Sequence, residues 1–135
     1  MTNFEILVKD LETAIQNSYE QGTSLEDAEK LAAKFLYAQL AVSGELKKAA
    51  LDAKMKKTGT KAVKAAIYME SATKDSKKPS DVMLQAIVDL NELVQGEQSA
   101  LDIAEVNMEE LQRYYDVFLN GHIFFRGLAK GTFGG

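Results

Sequence analysis

The chain has 135 residues, a single proline, no cysteine and a formal net charge of −4. That length lets one domain bury a core unaided, and the missing thiols exclude disulfides, thiolate metal sites and a cysteine nucleophile while fitting a reducing compartment. No stretch approaches the roughly 20 apolar residues that cross a bilayer, and the opening MTNFEILVKD sets acids within its apolar pattern, so neither a membrane span nor an export signal is expected and the chain reads as cytoplasmic.

Alanine, leucine, glutamate, glutamine and lysine dominate and strand-like alternation is missing, so the predicted fold class is all-α. A first helix follows Thr2, which forms a capping-box pair with Glu5, and carries Phe4, Leu7, Leu11, Ile15 and Tyr19 along one face until Gly22 ends it. Ser24 caps a second helix with Leu25, Ala28, Ala32, Phe35, Val42, Leu46, Ala49 and Ala53 at three-and-four spacing. This stretch either runs to about Lys57 or bends at Ser43-Gly44. Thr58-Gly59-Thr60 reads as a break with a fresh N-cap before a short helix through Val63, Ala66, Ile67 and Tyr68.

Thr73 to Pro79 is the best loop in the chain. Ser80 then caps a helix whose apolar residues are Val82, Met83, Ala86, Ile87 and Leu90, with Gly96 as its stop. The last helix is patterned by heptads: Leu101, Ala104, Met108, Leu111, Tyr115, Phe118, His122 and Phe125 step by threes and fours. Ile103, Val106, Tyr114, Val117, Leu119 and Phe124 widen that seam, enough to pack on the chain's own helices and on a neighbouring subunit. The alternative is a central helix surrounded by its own domain. The expected architecture is a single helical domain over 1–135, a bundle or hairpin, with 1–22 a peripheral helix and 127–135 a flexible glycine-rich tail. It is expected to be a homo-oligomer through Leu111, Tyr115, Phe118, His122 and Phe125.

Catalytic chemistry finds little support. The only histidine, His122, stands in register with the apolar seam, which suits packing better than proton transfer. Asp102, Glu105 and Glu109 share a helical face without a histidine partner and read as solvated, and no glycine-rich loop precedes a helix, so no catalytic residue, metal or cofactor is expected.

Charge, by contrast, is segregated. Between Leu46 and Ala65 lie seven lysines (Lys47, Lys48, Lys54, Lys56, Lys57, Lys61, Lys64) and one acid, Asp52. Residues 1–30 hold seven acids against Lys9 and Lys30, and 97–120 hold six against Arg113. With a Debye length of about 8 Å, such clustering creates a local field that net charge conceals. Lysine meets phosphate as a point charge without reading base edges, so Lys47, Lys54, Lys57, Lys61 and Lys64 are candidates for binding a nucleic-acid backbone, with Tyr68 and Tyr37 as stacking platforms. The competing reading of the same lysines is the solvated face of an amphipathic helix.

The order of features resembles the UvsY family, recombination mediators of T-even-like bacteriophages. The passages that carry the likeness are Thr60 to Tyr68, Ala86 to Asp89, Tyr115 to Leu119, and the closing Phe125-Arg126-Gly127-Leu128-Ala129-Lys130, which looks like that family's Arg-Gly-x-Ala-x-Lys ending with one residue removed. The likeness spans the chain from about residue 28 onward. It implies a non-enzymatic, cyclic oligomer that binds single-stranded DNA and helps load a RecA-like recombinase onto strands coated by single-strand-binding protein, in the bacterial host cytoplasm during infection. It adds Arg126 and Lys130 to the candidate DNA contacts. Of the family's Lys-x-Arg pair only the lysine carries over, as Lys64, because Ala66 stands at the arginine position. The alternative function is a phage assembly, scaffold or anti-defence interaction protein that does not bind DNA.

Overall fold

Thr2 opens the first helix as a capping box requires: its hydroxyl accepts the Glu5 N–H at 3.2 Å, and the Glu5 carboxylate accepts the Thr2 N–H at 2.9 Å. The computed structural model describes residues 2–74 and 77–131, among which there are four helices and no strand. They are α1 (Asn3–Gln21), α2 (Leu25–Thr73), α3 (Asp81–Leu90) and α4 (Glu92–Ala129). Gly22, at φ +77°, closes α1, a conformation that only glycine adopts at little cost. The Ser24 and Ser80 side chains accept the N–H groups of Asp27 and Met83, so both expected caps are present. The expected loop corresponds to Lys74 and Lys77–Pro79, with Thr73 as the last residue of α2; Asp75 and Ser76 lie outside the described residues.

Three expected boundaries are corrected. The Thr58-Gly59-Thr60 break does not occur, nor does a stop at Lys57, because α2 continues through both. Neither threonine caps a new helix. The Thr58 hydroxyl donates back to the Lys54 carbonyl at 3.1 Å and the Thr60 hydroxyl to the Lys56 carbonyl at 2.8 Å, an arrangement that leaves the helical ladder intact. The second correction concerns the end of α3, which stops at Asn91 instead of Gly96. The Asn91 side-chain oxygen accepts the N–H groups of Leu93 and Val94, at 2.9 and 3.2 Å, so one residue both ends α3 and caps α4. The third lies at the tail, where α4 extends past Gly127 to Ala129 and Gly131 (φ +73°) closes it; residues 132–135 lie outside the described residues.

The chain forms two compact units, 1–47 with 109–135 and 48–108. In the first, α1, the start of α2 and the end of α4 enclose an aromatic core. Phe35, Phe118 and Phe125 are fully buried, with Phe35 stacked on Phe118 and Phe125 at 6.3 and 6.0 Å between ring centres. Phe4 adds its ring at 5.6 Å from the buried Tyr114. His122 donates from Nδ1 to the Ala32 carbonyl at 2.9 Å, a structural tie between α4 and α2. Of the residues expected along these faces, Tyr19 and Leu25 are exposed.

The core of the second unit is leaner: Ala49, Ala53, Leu84, Val88, Val94, Leu101 and Ala104. The residues named as apolar along α3 are not the ones that enter this core. Leu84 and Val88 point inward, while Val82, Met83, Ala86, Ile87 and Leu90 are exposed. Ile103 and Val106 of α4 are exposed as well.

Candidate nucleic-acid interface

Continuity of α2 through residues 58–60 is what organises the lysines. At about 100° per residue, Lys54, Lys57, Lys61 and Lys64 fall within an arc of about 80° along one side of the helix. Asp52 and Glu70, the acids of α2 in this unit, lie on the opposite side by the same geometry, and Asp52 is paired with Lys56 at 2.7 Å. Lys54, Lys57 and Lys61 are exposed, and among the described residues no carboxylate lies within ion-pair distance of them. Lys57 lies about one turn from both Lys54 and Lys61, and like charges at that spacing repel, so a polyanion laid along this side gains twice, by attraction and by relief of that repulsion.

Lys64 is less free. It is half-buried, and its ammonium donates to the Gln98 side-chain oxygen of α4 at 3.4 Å. It borders an open groove of about 360 Å³ shared with Asp89, Val94, Gln95, Gln98 and Ser99. The amides and the hydroxyl there can donate to phosphate or sugar oxygens, whereas Asp89 sets a negative edge to the stripe. Tyr68, expected to stack on bases, is half-buried and donates its phenol to the Asp81 carboxylate at 3.2 Å. That hydrogen bond, with desolvation and the carboxylate's charge behind it, raises the phenol's pKa. Tyr68 of α2 is therefore anchored to α3 through its hydroxyl.

The other candidates belong to the first unit. Lys47, Arg126, Lys130 and Tyr37 are all exposed there, Tyr37 by 71%. Leu111, Phe118 and Phe125 are enclosed by α1 and α2 of their own chain, and Tyr115 and His122 are half-buried. Intrachain packing accounts for the heptad seam in this unit, so a subunit contact is not what buries these three side chains. Sequence reasoning missed Gln95, Gln98 and Asp81 as neighbours of the lysine stripe, since their proximity depends on α3 and α4 folding back along α2. Among the described residues no three of Asp, Glu, His or Cys converge on a metal position, and no helix is long and apolar enough to cross a membrane. Three comparisons were made with known proteins, and no family model, no curated protein and no solved structure matches the chain.

Proposed function

We propose that this chain is a non-enzymatic, single-stranded DNA-binding protein of recombination-mediator type, whose α2 lysine stripe holds the phosphate backbone. The observation that carries the reading is the run of exposed Lys54, Lys57 and Lys61, without an ion-pair partner among the described residues, on one side of an unbroken helix, with the acids of that segment on the other. Flexible point charges of this kind bind phosphate with little sequence preference. The UvsY-like order of motifs supplies the biological role: loading a RecA-like recombinase onto strands coated by single-strand-binding protein, in a phage-infected bacterial cytoplasm.

Fluorescence anisotropy with labelled oligonucleotides at several salt concentrations tests the binding. Affinity is expected to be nearly independent of base sequence and to fall steeply with salt, since each neutralised phosphate of a single strand contributes roughly −0.7 to the slope of log affinity against log salt. Replacing Lys57 and Lys61 together by alanine should weaken binding and flatten that slope by about 1 to 1.5. Replacing Lys9 and Lys30 should change neither, because Lys30 is already paired with Glu26 at 3.1 Å and Lys9 lies in an acid-rich helix. No binding at low salt by the intact protein would remove this reading. A second reading, a protein-interaction or assembly factor, is favoured by the apolar residues exposed on α3.

A further inference from the structure

α3 is apolar on both sides, and only one side is covered. Leu84 and Val88 are buried at 0% and 3% exposure, yet Val82, Met83 and Leu90 on the outward side are 81%, 59% and 74% exposed. Asp81, Gln85 and Asp89, all exposed, form a polar flank beside it, and contiguous apolar surface rimmed by polar residues marks an interaction site. We propose that this outward face of α3 pairs with the same face of a second copy of the chain, the two helices running antiparallel about Ala86.

Two features point to a second copy. The first is self-complementarity. Ala86 is exposed at the middle of the face, with Val82 one turn before it and Leu90 one turn after. An antiparallel pair centred there sets each Val82 against the other chain's Leu90, and the small alanine at the crossing lets the backbones approach. The second feature is charge. Lys77 and Lys78 are exposed just ahead of α3, and Asp89 and Glu92 are exposed at its end. Antiparallel pairing brings the lysines of one copy towards the acids of the other, and opposes the two helix dipoles; parallel pairing sets like against like. The contact is isologous, so each feature acts twice. The face of a ten-residue helix lies at the small end of interface sizes, below about 1,200 Å² in total, so the dimer is expected to be concentration-dependent at micromolar levels. The proposal does not depend on DNA binding, since Lys57 and Lys61 take no part in it.

The absence of cysteine makes the test direct. Sedimentation equilibrium of the unmodified chain should show a monomer–dimer equilibrium, and Leu90→Glu should raise its dissociation constant at least tenfold with an unchanged circular dichroism spectrum, because the side chain is already in solvent. Ala86→Cys, at the two-fold axis, should give a disulfide-linked dimer under mild oxidation, while Ile103→Cys, exposed on α4 of the same unit, should give little. A monomer at all concentrations would overturn the proposal, including a monomer that binds lipid vesicles or another protein through α3. So would a dimer indifferent to Leu90→Glu, or equal cross-linking by the two cysteine variants.

Discussion

Two glycines in helix interiors show how far a residue's effect depends on what surrounds it. A Cβ at Gly44 in α2 would meet nothing within 4 Å, so Gly44→Ala should raise stability by about 0.5–1 kcal/mol through helix propensity alone. At Gly121 in α4 the same methyl would lie 2.7 and 2.8 Å from the two terminal carbons of Leu11 on α1. Gly121→Ala should therefore destabilise, by about 1–3 kcal/mol from overpacking that exceeds the propensity gain. Urea unfolding of the two variants measures both signs. Tyr68 makes a third residue-level case. Its pKa is raised because the neutral phenol donates to Asp81, so the folded value exceeds the unfolded value of about 10. The stabilisation is then complete below that unfolded value and is lost as pH rises through the folded one. Ring-carbon NMR should show Tyr68 ionising at higher pH in the unmodified chain than in the Asp81→Asn variant.

At the scale of the element, α3 carries the sharpest contrast. Its two leucines are six residues apart, one at 0% and the other at 74% exposure. Leu84→Ala should cost about 2–5 kcal/mol, the range for opening a core cavity, whereas Leu90→Ala, measured at concentrations where the chain is monomeric, should stay within about 0.5 kcal/mol. Comparable losses would mean that the outward face is covered within the chain itself. The junction of α3 and α4 rests on Asn91, whose side chain serves two orphan N–H groups. Asn91→Ala should cost about 1 kcal/mol and speed amide exchange in the first turn of α4.

For the whole molecule the question is whether net charge or local charge governs encounters with a polyanion. The net charge is −4, and it opposes binding everywhere except where lysines cluster. Because screening confines fields to about 8 Å, neutralising two acids away from the stripe should do little. Glu26→Gln with Glu29→Gln, on the first turns of α2, should leave single-strand affinity within about twofold although the net charge becomes less negative. Lys57→Ala with Lys61→Ala should reduce affinity by far more, for the same size of charge change.

The all-α class, the capping box at Thr2, the serine caps at 24 and 80, the Gly22 stop and the segregation of lysine were all legible in the sequence. Each is a short-range matter: a hydroxyl meets an N–H three residues on, a glycine relieves a positive φ, and a helix places residues three and four apart on one side. Tertiary structure decided what the Thr58-Gly59-Thr60 segment and Gly96 became, because a glycine inside a helix costs only about 1 kcal/mol against alanine and packing on both sides easily exceeds that. It also decided which side of α3 faces inward. Val82, Met83, Ile87 and Leu90 make as good an apolar stripe as Leu84 and Val88, and periodicity cannot rank two stripes on one helix; only the space left between α2 and α4 does. The same holds for α4, whose heptad pattern suits a neighbouring chain as well as its own. Phe35 and Phe4 of this chain fill that seam first, because they are tethered to it and a second subunit must be recruited from solution.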